Sequence, residues 1–296
     1  VPVGPAVAVK VFDMRSDDAD GRWSLDRRRQ QEARAEAAVL QRLATHENIV
    51  RFQDFYMDDV VAYLVMERCP YSLLDLLELE PALHEEMMRS FLQQMLVGIC
   101  ACHSSGVVHR DIKAGNFVAT IGASSADFEI KLCDFGLATL LRHPDAEDLT
   151  GVHGTTPHMA PEMLTARRYS AKVDVWSMGV LAYVVLYGDW PYTAPAPSTM
   201  AMKSVIAAGV PAPRFHGPSE VSGRSSGWVR SLLQRCPRGR LTSRGALEAL
   251  AAAPWDASAS LRRAVARATQ IGALSIGQVK AQPTRATSEV STATPT

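Results

Sequence analysis

Cysteine is scarce, net charge is absent and no long apolar run occurs. The 296 residues include five cysteines, Cys69, Cys100, Cys102, Cys133 and Cys236, and no CxxC pair. That is too few and too scattered for a disulfide framework. Cys100 and Cys102 bracket one residue inside an apolar helical stretch and read as packing rather than as metal ligands. A reducing, cytoplasmic compartment is therefore expected. Lys and Arg number 31 against 31 Asp and Glu, for a formal net charge of zero. This argues against a dominant nucleic-acid or anionic-membrane partner, both of which need a basic excess. The longest apolar run, Val175 to Tyr187 interrupted by Ser177, is well short of the ~20 residues of a membrane helix, so a buried core helix is expected and no membrane span. No signal peptide is visible at the start, which is Val1 and not Met. No internal repeat is present, and no D-x-[DN]-x-[DN]-G pattern, so calcium sensing within this chain is not expected.

What remains is an ordinary globular balance, 47% hydrophobic and 21% charged, enough for a substantial core. The alternating, β-branched Ala6–Phe12 reads as a strand with Lys10 in its middle. Asp13–Gly21 reads as a polar loop, and Ser24–Leu43 as a helix with Ala33, Ala37, Leu40 and Leu43 at helical spacing. Ile49–Tyr56 and Val60–Glu67 read as two more strands. After Cys69-Pro70 the character turns helical: Ser72–Leu79, then His84–His103 with Met88, Phe91, Met95, Leu96 and Ile99 as its apolar stripe. Phe117–Asp134 reads as a hairpin around the polar turn Gly122–Asp127. Asp174–Tyr187 and Thr242–Ala252 follow as helices, the latter ended by Pro254. The Thr-, Ser- and Pro-rich tail from about Gln282 is expected to be disordered. The class is α+β, with a strand-rich lobe and a helix-rich lobe meeting at Glu67–Pro70, where a ligand cleft is expected.

Short motifs stand in a fixed order along this frame: Ala8-Val9-Lys10, His109-Arg110-Asp111-Ile112-Lys113-Ala114-Gly115-Asn116, Asp134-Phe135-Gly136, Ala160-Pro161-Glu162 and Asp174-Val175-Trp176-Ser177-Met178-Gly179. Together they resemble a protein kinase over about residues 6 to 255. The resemblance implies a bilobal kinase-like fold, with an N-lobe over 1–67, a hinge over 67–70 and a C-lobe over 71–255. It leaves 256–296 as a C-terminal extension.

It also implies roles. ATP and Mg²⁺ are the expected cofactors and protein substrates the expected acceptors. Lys10 would clamp the α- and β-phosphates, held by Glu36, with Glu32 one turn away as the fallback. Asp111 would orient the substrate hydroxyl and accept its proton. Asn116 and Asp134 would give oxygens to Mg²⁺, a hard cation. Lys113 would neutralise the γ-phosphate in transit. His109 is expected to be structural, packing on Phe135. Arg110 would bind a phosphate placed on the activation segment, Asp134–Glu162, with Thr150 as the candidate switch. Thr155 would contact Asp111 and Lys113, Glu162 would pair with Arg240, and Asp174 would cap its helix and tie the catalytic-loop backbone. Met66 fits the gatekeeper position, and the backbone of Glu67 and Cys69 would hold the adenine edge. Cys133 would line the same pocket.

Lys113 two residues after Asp111 resembles serine/threonine kinases. His103–Val108, Asn116-Phe117, Tyr169–Val180 and Arg240-Leu241-Thr242 through Trp255 look closest to the calcium/calmodulin-dependent and calcium-dependent group. Two departures stand out. No G-x-G-x-x-G precedes the Lys10 strand, where only Gly4 occurs; a longer protein would explain this simply. If the chain truly begins at Val1, ATP affinity and rate are expected to fall, because backbone donors to the phosphates are lost. Gly115 stands where this group usually has Glu, which puts a strong basic-substrate preference in doubt. The segment Leu261–Ala268 is basic and amphipathic and reads first as a solvated terminal helix, with an autoinhibitory helix or a seat for calmodulin or another regulator as the alternative.

Overall fold

The computed structural model describes residues 6–17, 23–79, 85–121, 128–143, 146–166, 168–215, 221–252, 266–267 and 269–270. The turn at Gly122–Asp127, Pro254, Gly4, most of the basic segment and the tail beyond 270 lie outside the described residues.

The small lobe is built from β1 (Val7–Asp13), β2 (Arg15–Asp17), β3 (Trp23–Leu25), α1 (Arg27–Leu43), β4 (Phe52–Met57) and β5 (Val61–Glu67). β5 runs down the middle of an antiparallel sheet ordered β1-β5-β4, and Lys10 pairs across it with Leu64. A register shift interrupts β4 between Phe52 and Asp54. Helix α1 starts at Arg27, not at Ser24, because Asp26 accepts hydrogen bonds from the amides of Arg28 and Arg29 as its N-cap. Ser24 and Leu25 belong instead to β3, which pairs with β2. The expected loop over Asp13–Gly21 therefore contains a short strand. Ala33, Glu36, Ala37, Leu40 and Leu43 form the buried stripe of α1.

The large lobe follows as β6 (Tyr71–Ser72), α2 (Leu73–Leu79), α3 (Glu85–Ser104), β7 (Val107–Val108), β8 (Phe117–Ile121), β9 (Phe128–Leu132), β10 (Thr139–Leu140), α4 (Pro161–Thr165), α5 (Lys172–Tyr187), α6 (Thr199–Ala208), α7 (Gly223–Leu232) and α8 (Ser243–Ala252). Two small sheets, β6-β8-β9 and β10-β7, frame the catalytic segment. Helix α5 is apolar on all sides, so it sits at the centre: every residue from Val173 to Tyr187 is buried. Gly188 ends it at φ +68°, a left-handed cap that glycine adopts without a Cβ clash.

The lobes are sewn together behind the cleft. Leu132 donates to the Asn48 carbonyl at 2.9 Å, Val50 donates to Leu132 at 2.9 Å, and the Asn48 amide donates to the Ile130 carbonyl at 2.9 Å. The segment after α1 is thus fixed to β9, the strand that delivers Asp134. Helix α3 lies so close beneath it that a Cβ on Gly98 would meet the Asn48 carbonyl at 2.7 Å. This is the bilobal α+β architecture expected from the sequence.

Candidate active site

Three side chains from three elements meet at the cleft. Lys10 on β1 donates from Nζ to both oxygens of Glu36 on α1, at 2.8 and 2.9 Å, and to Asp134 Oδ1 at 2.6 Å. Burial pulls the Lys10 ammonium toward neutrality. The Glu36 and Asp134 carboxylates outweigh it and hold the group above its ordinary value. Helical phase separates the two glutamates considered for this role. Glu36 shares the buried face with Ala33 and Ala37, whereas Glu32 points outward to Arg28 at 3.0 Å.

A second cluster lies on the loop between β7 and β8. Asp111 Oδ1 accepts from the Thr155 amide at 2.8 Å and from the Thr155 hydroxyl at 2.7 Å. Lys113 Nζ pairs with Asp111 Oδ2 at 2.7 Å and donates to Thr155 Oγ1 at 2.9 Å. Burial works against the Asp111 charge, but the Lys113 and Thr155 bonds prevail and lower its pKa. Asn116 donates its amide to the Asp111 carbonyl at 2.7 Å and to Asp111 Oδ2 at 3.2 Å.

That orientation matters for a metal. With the Asn116 nitrogen spent on Asp111, its carbonyl oxygen is the end left to accept. Asp134 is half exposed, and its burial cost is outweighed by Lys10, which holds it ionised. An amide oxygen and a carboxylate form an oxygen donor set suited to Mg²⁺, so the residues fit that ion.

The backbone bends sharply to achieve this. Arg110 and Asp134 adopt φ +65° and +59°, left-handed conformations that cost a non-glycine residue about 1–2 kcal/mol each. Asp174 holds the first of them: its buried carboxylate accepts from the amides of His109 at 2.9 Å and Arg110 at 2.8 Å. The same carboxylate meets His103 Nε2 at 2.9 Å. The expected capping of its helix by Asp174 does not occur. Helix α5 begins two residues earlier, with no side-chain cap on Ala171, and the carboxylate is turned to the loop instead. His109 lies edge-on to Phe135, with ring centroids 5.0 Å apart. It accepts from the Asp111 amide at Nδ1 and so donates from Nε2 to the Cys133 carbonyl at 3.1 Å. Gly154, at φ +96°, lets the activation segment pass the catalytic loop, since a Cβ there would sit 2.3 Å from the Arg110 carbonyl.

Glu162 and Arg240 form a buried fork with contacts of 2.5 and 3.0 Å. Met66 on β5 is half-buried and packs on the core, and Glu67 and Cys69 follow at the hinge. Burial pushes the Cys133 thiol up to about 12 and the Cys69 thiol up to about 11, so both rest as thiols. Thr150 is exposed, and its carbonyl accepts from Tyr169 at 3.0 Å. Arg110 spends its Nε on the Leu137 carbonyl at 2.7 Å, and no hydrogen bond joins it to Thr150.

His103, Lys131 and His158 went unnoticed in the sequence as site residues. His103 braces Asp174, Lys131 reaches the hinge, and His158 is buried beside Asp111 and Lys113. Nothing local marks them, because their partners are distant along the chain. Beyond the cluster, a groove of about 690 Å³ opens at Thr155, Thr156, Pro157, Trp190, Pro195 and Met202. None of its lining residues is ionisable.

Two lobes, a bridged lysine and a catalytic loop held by Asp174 define a class. The chain matches the protein kinase domain family over residues 3–255 and belongs to it. Among curated proteins it is 36% identical over 219 residues to a CDPK-related protein kinase of Daucus carota, covering 73% of this chain and 35% of that protein. CDPK-related kinase 5 of Arabidopsis thaliana is 36% identical over 229 residues, 76% of this chain and 36% of the relative. Calcium/calmodulin-dependent serine/threonine-protein kinase 1 of Oryza sativa subsp. japonica is 35% identical over 219 residues, 73% and 35% of the two chains. The match spans about a third of the length of these relatives. No helix among the described residues is long and apolar enough to cross a membrane.

Proposed function

We propose that the chain transfers the γ-phosphoryl group of ATP to serine or threonine hydroxyls of protein substrates. The observation that carries this reading is the convergence of Lys10, bridged by Glu36, on Asp134, beside Asp111, Lys113 and Asn116. Lys10 binds the α- and β-phosphates. Asp111 orients the acceptor hydroxyl, whose oxygen bonds to the γ-phosphorus as the bond to the bridging oxygen breaks. ADP leaves, and the hydroxyl proton passes to Asp111. Lys113 balances charge on the moving phosphoryl group. Mg²⁺, held by Asn116 and Asp134, would neutralise the phosphates. Thr155 positions both Asp111 and Lys113. The apolar groove beside Thr155 favours a substrate with an uncharged residue next to its acceptor. Gly115 supplies no carboxylate for a substrate arginine.

Phosphate transfer from radiolabelled ATP to a generic protein substrate, compared with Asp134→Ala, tests the reading. Loss of signal in the variant is expected. Equal signal from both proteins would favour the second reading, a pseudokinase-like scaffold.

The names of the relatives and the group-specific passages support a calcium/calmodulin-dependent-kinase-like enzyme, and a cytoplasmic location is proposed with it from the few, scattered cysteines of the sequence. The basic C-terminal segment is proposed as the seat of calmodulin or another regulator. Its Arg267 pairs with Asp189 at 2.9 Å, next to Trp190 of the groove. A peptide of residues 258–276 that shows no calcium-dependent binding to calmodulin would exclude that partner. Phosphorylation of Thr150 remains a proposal of the same kind, to be read by mass spectrometry of the active protein.

A further inference from the structure

Lys131 lies on β9, three residues before Asp134, and is only 8% exposed. An ammonium so placed needs its donors used. Its Nζ donates to the Glu47 carbonyl at 3.0 Å and pairs with Glu67 Oε1 at 3.3 Å, with Glu129 Oε2 at 3.6 Å. Glu67 is the last residue of β5 and the first of the hinge. Its Oε1 also accepts from the Arg51 amide at 2.7 Å, its Oε2 meets the Arg51 guanidinium at 3.5 Å, and its own amide donates to the Arg51 carbonyl at 3.0 Å. One carboxylate is thereby gripped by Arg51 from the small lobe and by Lys131 from the large one.

We propose that Lys131 and the Glu67 carboxylate form a latch that sets the hinge backbone and, through it, the affinity for adenine nucleotide. The inference rests on the reading of this cleft as an ATP site. Fixing the Glu67 side chain fixes the direction of its own carbonyl and of the Cys69 amide, two residues on. At the other end of the latch, β9 runs from Lys131 through Leu132 and Cys133 into Asp134, whose left-handed backbone needs a held approach. The Cys133 amide is pinned to the Asn116 carbonyl at 2.9 Å, so no slack remains between the latch and Asp134. The pair joins the base-binding backbone to the metal-binding carboxylate. Lys131 touches neither and acts as a positioning residue.

The test measures Mg-ADP binding by calorimetry and ATP kinetics on the full chain, wild type first. Lys131→Met and Glu67→Gln are each expected to raise the Kd for Mg-ADP and the KM for ATP by about three- to tenfold, with kcat at saturating ATP within about twofold. The double variant should be no weaker than the weaker single, since both remove one interaction. Lys131→Arg, which keeps the charge, should bind within about twofold of wild type. Unchanged Kd and KM in both singles, additive losses, or a Lys131→Arg protein as weak as Lys131→Met would overturn the latch. Where Lys131→Met melts at a much lower temperature, Glu67→Gln decides, because it keeps the shape and an acceptor for the Arg51 amide. A wild-type chain that binds no Mg-ADP would overturn the cleft reading and the latch together; one that binds it while the variants bind equally well overturns the latch alone.

Discussion

The two lobes bury their apolar residues very differently. In the large lobe α5 is enclosed on every side. Among the described residues of the small lobe, β1 lies at one side of the sheet ordered β1-β5-β4, and its Val7, Val9 and Val11 are 40, 48 and 58% exposed, as are Tyr56 and Trp23 at 57 and 62%. A lobe packed around a central helix can hold strained backbone at Arg110 and Asp134, because the structure around those residues over-determines them. The described residues of the small lobe include no non-glycine residue with positive φ. The small lobe's task is narrower: to deliver one ammonium, while the contacts from 47–50 to 130–132 tie it to the large lobe. The strained backbone of the site therefore sits on the large lobe, and the small lobe contributes the Lys10 ammonium.

Four measurements would break or sharpen this contrast. The largest effect is expected from Arg240→Ala. It strands the buried Glu162 carboxylate and should cost about 3–5 kcal/mol, read as a drop in the denaturant midpoint of the large lobe. If the loss is below about 1 kcal/mol, comparable to an exposed pair, the large lobe is not held as described.

Next comes pH. His158 is buried, edge-on to Trp190 at 5.4 Å, with Asp111 and Lys113 as its charged neighbours. Burial lowers its pKa from 6.5 to about 4. The unfolded chain takes up this proton first as pH falls, so stability should decline between about pH 6.5 and 4 by on the order of 3 kcal/mol. His158→Phe should flatten that slope in melts followed across the range, and an unchanged slope would assign the acid loss elsewhere.

The third measurement separates delivery from stability. Lys10→Met and Glu36→Gln should each lower the transfer rate about a hundredfold, while Glu32→Ala leaves it unaltered. A rate loss in Glu32→Ala equal to that in Glu36→Gln would mean that helical phase does not select the partner of Lys10. The smallest effect is on the small lobe alone: Asp26→Ala removes the N-cap of α1 and should cost about 1 kcal/mol, seen as faster hydrogen exchange over the first turn with α5 untouched.

Much of this was legible along the chain because its signals are local. The stripe of α1, the apolar run of α5 and the order of the short motifs need only neighbouring residues to be read. The choice of Glu36 over Glu32 rested on periodicity and family pattern, and in the fold it follows from which side of α1 is buried. Strand β2 escaped because Arg15–Asp17 has no apolar alternation; it exists only because β3 pairs with it. The capping role expected for Asp174 failed because two amides and His103, all from other segments, compete for its carboxylate. Nothing local marks Lys131 on its hairpin strand; only the fold puts Glu67 of the hinge beside it.

Composition and periodicity were sufficient for two lobes and the central helix, and motif order for the family resemblance that nominates Lys10, Asp111, Asn116 and Asp134, since each of these signals lies within a short stretch of chain. Tertiary structure alone decided which carboxylate each cation meets, where the backbone bends into left-handed conformations, and how the hinge is gripped. Those outcomes depend on pairs 16 to 124 residues apart, and whether such pairs form is settled by burial and packing that no local stretch of sequence contains.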